Sequence, residues 1–587
     1  MKRVFSVLAV LLVLIAAGAG WYVYSKLPTR QGSVELAHLQ GSVTVRYDDR
    51  GVPHIRAENE TDLYRALGYV HAQDRLFQME IMRRLSRGEL AEVLGPKLLE
   101  TDKLFRSLRI RERSLSYVEH MDHESAAWKA LQAYLDGINQ YQDSHAKPME
   151  FDVLGIPKRP FTAEDTISVA GYLAYSFAVA FRTEPLLTYV RDQLGPDYLK
   201  VFDLDWQPKG ALNLAAGDWK DPGAIARLSE QALAENGLPP FEGSNAWAIS
   251  GARTKSGKPL LAGDPHIRFS VPSVWYEAQL SAPGFELYGY HNALVPVAFL
   301  GHNKDFGWSL TMFQNDDLDL IAEKVNPDNP NQVWYHDQWV DMTSSEQQIA
   351  VKGQPPVTFV LRQSPHGPII NDALGTNAGK TPIAMWWAFL DTENPILEGF
   401  YQLNRADTLA KARAAAAKVQ APGLNIVWAN AKGDIGWWAA AQLPIRPAGA
   451  QPGFILDGST PLADKLGFYP FSANPQEENP ARGYVVSANA QPASPTGMEI
   501  PGYYNRADRG QRLNAQLSDN NVKWDVENSQ ALQLGTTTGY GPRLLAPLLP
   551  VLREVVKDPA ELKLVEQLAA WKGDYPLDST SATLFNQ

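Results

Sequence analysis

The chain has 587 residues, 45% of them hydrophobic, which is enough for a large buried core. Its formal charge of -11 and the lack of any dense Lys/Arg run argue against nucleic acid as a partner. It contains no cysteine, so disulfides, thiolate metal sites and Cys nucleophiles are excluded together.

Lys2 and Arg3 precede the uncharged run Val4–Tyr24. About 20 apolar residues suffice to cross a bilayer, and the flanking positive charge places the N-terminus in the cytoplasm. Residues 1–25 therefore read either as a signal peptide cut near Ala17-Gly18-Ala19 or as an uncleaved inner-membrane anchor, with the remainder in a bacterial periplasm. Ser42–Val45 begins an alternating strand, and Asp48–Gly51 is a turn. Thr61–Arg87 is expected to be a helix whose one internal breaker is Gly68. Glu124–Tyr141 and the apolar Ile167–Phe181 are further helices, the latter leading into Arg182-Thr183-Glu184. Residues Ala215–Gly243 carry Gly-Asp, Asp-Pro-Gly and Leu-Pro-Pro punctuation around one short Ala/Glu/Arg helix pattern and read as a connector or spacer rather than core. Asn245–Ser250 and Glu286–Tyr290 alternate polar and apolar, and strand-like runs continue to about Asp319.

Several chemistries lack their motifs. There is no Gly-x-Ser-x-Gly elbow, no His-Glu-x-x-His helix and no dinucleotide fingerprint. Gly251–Lys258 is one residue too long for a phosphate loop, and Pro259 stands where a magnesium-binding hydroxyl is needed. Asp316 and Asp319 could serve as a glycosidase carboxylate pair.

Gly-Ser occurs four times, at 32–33, 41–42, 243–244 and 458–459. Only the third follows a connector and opens into a strand. A serine released there by cleavage of the Gly243–Ser244 bond would carry its own base, because an α-amine titrates at roughly 7.7–8. Gly243 leaves room for the Ser244 hydroxyl to approach the preceding carbonyl and tolerates strain.

The run Gly243-Ser244-Asn245-Ala246-Trp247 with Gly263-Asp264-Pro265-His266 resembles the β-subunit start of the penicillin acylase family of N-terminal-nucleophile hydrolases. The resemblance extends through Gly68–Glu80, Gly88–Glu92, Gly301-His302-Asn303, Asn315–Asp319, Ser487-Ala488-Asn489 and Arg506–Arg509, and is nearest in type to acyl-homoserine-lactone acylases. It implies an α+β chain folded as a four-layer αββα sandwich, with a largely helical α-subunit at 36–215, a spacer at 216–243 and a β-subunit at 244–587, both subunits coming from one precursor. It implies Ser244 as nucleophile, His266 as a group that orients or activates it, Asn489 and the Met312 N–H as oxyanion donors, and Arg509 as holder of the network. Ile267 and Leu300 fall at acyl-pocket positions, with Met312 nearby. Their aliphatic character suits a fatty acyl chain. The resemblance further implies one structural calcium ion on Glu184, Asp316, the Leu318 carbonyl and Asp319. A further family ligand position holds Met498 here, with Glu499 beside it. No organic cofactor is expected. The substrate is a small N-acyl amide: an acyl-homoserine lactone first, a penicillin-type amide second. The alternative is an unprocessed, inactive envelope protein that keeps the fold. The chain is expected to lack the C-terminal part of the family fold.

Overall fold

The computed structural model describes residues 2–202, 221, 223–234, 241–377, 379–493, 496–497 and 500–587. The calcium position at Met498 and Glu499, residues 203–215 of the α-subunit region and parts of the expected spacer lie outside these.

The apolar run forms helix α1 (Lys2–Tyr24), long and apolar enough to cross a membrane and not buried against the rest of the chain. Strands β1 (Val43–Tyr47) and β2 (Pro53–Ala57) follow, then α2 (Glu60–Arg87). Asn59 caps α2 by accepting from the Asp62 N–H, and Gly88 ends it in the left-handed region at φ 63°. Helix α3 (Ala126–Ser144) crosses α2 closely. A Cβ on Gly68 would lie 1.9 Å from the Tyr134 carbonyl oxygen, and one on Gly137 would lie 1.9 Å from that of Arg65. Gly68, which the sequence presents as a breaker, is thus the residue that lets two helices touch. The expected single helix over 167–181 is instead two, α4 (Ala163–Phe177) and α5 (Ala180–Tyr189), separated where Ala178 leaves helical geometry. No Gly or Pro marks that break.

The short helix expected in the connector is present, but its burial departs from expectation. This helix, α6 (Ala224–Ala234), has Ile225, Leu228, Ala232 and Leu233 buried in the main core. Ser229 accepts from the buried Tyr175 hydroxyl at 2.9 Å. An Ala/Leu stripe at helical spacing needs only a partner face to become core, and α5 supplies one.

The remaining strands relevant here are β3 (Phe241–Ile249), β4 (Leu260–Ile267), β5 (Tyr276–Ala282), β6 (Phe285–His291), β7 (Leu300–His302), β8 (Phe306–Met312), β9 (Leu318–Ala322), β10 (Ile383–Trp387), β11 (Leu424–Asn430), β12 (Ile435–Ala440), β13 (Leu456–Asp457), β14 (Gln476–Glu478) and β15 (Tyr484–Ser487). Among the described residues, nine strands form one sheet in the order β1-β2-β5-β6-β7-β8-β11-β12-β14, while β15-β3-β4 and β10-β9-β13 form smaller sheets. Strand alternation builds a separate core on each face. On β11, Ile426 and Trp428 join the helix-rich core, whereas Val427 and Ala429 meet Ala246 and Ala248 of β3. On β3 the alternate residues Trp247 and Ile249 pack against Leu513 and Leu517 of α7 (Asp508–Leu517) and Leu532 of α8 (Val526–Gln533). The chain is therefore of mixed α and β content, and residues of β3 and β11 alternate between separate cores.

Candidate active site

Ser244 is the fourth residue of β3, with Phe241 to Gly243 in the same strand. The strand thus begins before the candidate nucleophile rather than at it. Ser244 is 2% exposed, and its hydroxyl donates to the Gly243 carbonyl oxygen at 2.6 Å. Gly243 is not in the left-handed region. What it provides is room, because a Cβ there would lie 2.9 Å from Arg509 Nη2 and 3.2 Å from Asn505 Nδ2.

Asn489 reaches the site by register. β15 pairs with β3 as Tyr484 opposite Ile249 through Ser487 opposite Ala246. Two further residues along this ladder bring Asn489 level with Ser244. There the backbone turns into the left-handed region (φ 64°), which Asn tolerates better than most residues. Its side chain replaces the ladder bond: Oδ1 accepts from the Ser244 N–H at 2.5 Å, and Nδ2 donates to the Met312 carbonyl oxygen at 2.9 Å. Met312 therefore meets Asn489 through its carbonyl, which also accepts from Asn425 Nδ2 at 3.0 Å.

Arg509, at the start of α7, joins these groups. Its Nη1 donates to the Ser244 carbonyl (2.8 Å) and to Asn245 Oδ1 (2.7 Å), and its Nη2 to Asn489 Oδ1 (2.9 Å). Burial weakens its hold on its proton, and Asp264 and Asp508 oppose that. Arg506 contacts Tyr540 instead, and Arg512 faces Gly535. Asn245 and Asn505 belong to this network without having been singled out in the sequence. The signal for Asn245 was its place in the Gly-Ser-Asn-Ala-Trp run.

His266 is not beside the Ser244 hydroxyl. In the β3–β4 ladder Ser244 stands opposite Pro265, and His266 opposite Gly243. Side chains alternate along a strand, so His266 shares the face of Asn245 and Asp264, away from Ser244 Oγ. Its Nε2 lies 3.0 Å from Asp264 Oδ2 and 3.4 Å from Asn245 Nδ2.

A narrow apolar cavity of about 40 Å³ opens beside Ser244. Leu300 and Met312 line it, as do Phe177, Phe241, Trp275 and Phe299. Ile267 is not among the lining residues, and aromatic rings share the wall with the aliphatic side chains. Of the polar lining groups, Thr311 shares a 2.7 Å hydrogen bond with Ser487, whereas Asn292 Oδ1 has no partner among the described residues.

The acidic group forms elsewhere. Glu184 of α5 and Asp316 and Asp319 near β9 bring one carboxylate oxygen each within 4.8 Å of one another, all buried. Leu318 is buried in β9 opposite Trp387. Burial raises Glu184 well above its usual range, Asp316 to about 8 and Asp317 to about 7. Burial alone would raise Asp319 too, but Arg446 and then Lys465 bring it below the usual range. Neither Asp316 nor Asp319 lines the Ser244 cavity, which removes the basis for a carboxylate-pair site there. A calcium ion needs six to eight oxygens. Here Glu184 Oε1 accepts from the Tyr503 hydroxyl and Oε2 from the Leu320 N–H, both at 2.9 Å. Arg446 faces both Asp319 oxygens and Asp316 Oδ2, and Lys465 Nζ lies 2.8 Å from Asp319 Oδ2. Asp316 Oδ1 alone of these carboxylate oxygens lacks a partner among the described residues. The donors present do not fit a calcium ion.

Sequence comparison defines the class. The family described as penicillin amidase matches residues 42–587, and the chain belongs to it. Among curated proteins the chain is similar to acyl-homoserine lactone acylase QuiP of Pseudomonas aeruginosa, 27% identical over 95% of this chain and 69% of that protein. The QuiP of Pseudomonas fluorescens is 30% identical over 89% of this chain and 65% of its own length. Penicillin G acylase of Escherichia coli is 27% identical over 90% and 69%. The chain thus spans about two thirds of the length of these relatives.

Proposed function

We propose that the chain is an amide-cleaving acylase that matures by cutting itself between Gly243 and Ser244. The observation that carries this is the 2.6 Å contact of Ser244 Oγ with the Gly243 carbonyl oxygen, inside the network of Asn489 and Arg509 and beside an apolar cavity. Rotation of the hydroxyl brings Oγ to the carbonyl carbon. Attack forms a C–O bond, the C–N bond breaks, and the hydroxyl proton ends on the departing Ser244 nitrogen. Water then hydrolyses the resulting ester and frees both chain ends.

The new α-amine takes the hydroxyl proton when Ser244 attacks a substrate amide, and it returns a proton to the leaving amine. Water cleaves the acyl-enzyme. Asn489 Nδ2, once released from the Met312 carbonyl, donates to the oxyanion, with the Met312 N–H as the second donor. His266 acts on the site only through Asp264 and Asn245. The reading uses no organic cofactor. The sheets of β3 and β11 and the helices packed with them are read as the αββα sandwich, and α1 as a leader or inner-membrane anchor for a periplasmic enzyme.

The substrate is an N-acyl amide. The QuiP relatives and the Leu300, Leu310, Met312 and Leu424 walls favour an acyl-homoserine lactone. The Phe177, Trp275 and Phe299 walls and the penicillin acylase relative favour an aryl-acyl amide such as a penicillin as the second reading.

The decisive experiment is a denaturing gel with N-terminal sequencing of the exported full chain, wild type and Ser244→Ala. Two fragments from the wild type, one beginning at Ser244, and none from Ser244→Ala are expected. An uncut wild type would overturn the proposal and favour an unprocessed envelope protein. Acyl-homoserine lactones of graded length, tested beside penicillins G and V, separate the two substrate readings.

A further inference from the structure

We propose that Arg446 and Lys465 provide the positive charge that a divalent cation would otherwise have to bring to the Glu184–Asp316–Asp319 cluster, so that this buried junction closes without metal.

The junction joins distant parts of the chain. Glu184 comes from α5, the aspartates from the approach to β9 and the strand itself, Arg446 and Lys465 from the segments around β13, and Tyr503 from the stretch just before α7. Three carboxylates drawn this close repel one another whenever they are ionised, and burial leaves little water to screen them. An ionised carboxylate here, Asp319, needs positive charge at short range.

Arg446 meets that need with a forked contact on Asp319: Nε to Oδ2 at 2.9 Å and Nη2 to Oδ1 at 3.1 Å. The same Nη2 donates to the Asp316 main-chain carbonyl at 3.0 Å and lies 3.4 Å from Asp316 Oδ2. Main-chain oxygens and carboxylates together are what a calcium ion would seek, and here a guanidinium takes them. Lys465 Nζ completes Asp319 at 2.8 Å and stands 4.7 Å above the Trp386 ring. Both cationic side chains are buried, 9% and 8% exposed, so they are held in place rather than sampling solvent. A dication brought to Asp319 would face two fixed positive charges and would have to displace hydrogen bonds already made. Asp316 Oδ1, the one cluster oxygen without a partner among the described residues, cannot hold it alone.

The test is made on the purified full chain, with metal content by elemental mass spectrometry and Tm measured in EDTA and in calcium chloride. Wild type is expected to carry substoichiometric calcium and to show the same Tm in both buffers. One calcium per chain, or a Tm that falls in EDTA, would overturn the proposal. The second arm is Arg446→Met/Lys465→Met, with Lys465→Met alone used if the double variant does not fold. Stripped of its internal cations, the cluster is expected to bind calcium and to gain Tm when calcium chloride is added. A variant as indifferent to calcium as the wild type would also overturn the proposal, because the carboxylates would then not depend on Arg446 and Lys465 for charge.

Discussion

Arg509 Nη2 donates to the Asn489 Oδ1 that also accepts the Ser244 N–H, at 2.9 and 2.5 Å. One side-chain oxygen thus couples a guanidinium to the peptide nitrogen of the bond proposed to break. With Oδ1 held from two sides, the Asn489 amide can present only Nδ2 toward Met312. The guanidinium therefore sets which end of that amide faces the reaction.

Arg509→Met is expected to slow self-cutting by roughly a hundredfold, the scale of losing an organised polar group at a reacting centre. Arg509→Lys, a single point donor in place of a fork, is expected to recover only part of that rate. Quantitative gels of a refolding time course check both. If Arg509→Met cut at the wild-type rate, the network would have no part in the step.

Gly243→Ala is expected to fold and to cut about tenfold or more slowly, the effect of about 1.4 kcal/mol on the barrier. The added methyl would sit 2.9 Å from Arg509 Nη2 and push it from its partners. The same gel together with the circular dichroism spectrum separates slow cutting from misfolding.

Leu300→Trp is expected to reduce kcat/KM for long acyl chains by about tenfold while sparing short ones. Filling the space of two methylenes removes about 1.6 kcal/mol of apolar burial. A chain-length series on the mature protein reads this, and an equal loss at every length would place Leu300 outside the acyl path.

His71 and His291 supply a pH prediction. Burial depresses both, His291 to about 4, and His291 adds to the effect on His71. The unfolded chain binds a proton at His291 below about 6.5, whereas the folded chain resists until about 4. Stability from this residue is therefore complete above 6.5 and is lost as the pH falls to 4, by up to about 3 kcal/mol. In denaturant titrations from pH 7 to 4, His291→Gln should lose correspondingly less stability than the wild type. Parallel pH profiles would refute the assignment.

The sequence made some of this legible and hid the rest for definable reasons. Ser244, Asn489 and Arg509 could be singled out because each lies in a short run that resembles the family's, and the structure brings the three side chains into one network. The orientation of His266 could not, because proximity in sequence does not reveal which face of a ladder a residue occupies until its register is known. The connector read as a spacer outside the core because Gly and Pro punctuation surrounds a short helix pattern whose burial depends on a partner in α5. The aliphatic reading of the cavity rested on a few positions, and Phe177, Trp275 and Phe299 arrive from distant segments. The acidic residues announced a cation, but Arg446 and Lys465, more than a hundred residues away, decide which cation serves.

The ring of Phe241 forms one wall of the Ser244 cavity, packing on Phe177 at 5.1 Å and on Trp275 at 6.4 Å. It lies just upstream of the Gly243–Ser244 bond, on the strand that runs through it. Breaking that bond would turn a tethered wall into a loose chain end, and the door to the chamber would then hang on a single hinge. The space in the intact chain is in that sense the chamber with its door shut, and a mature protein could admit guests that the uncut one cannot.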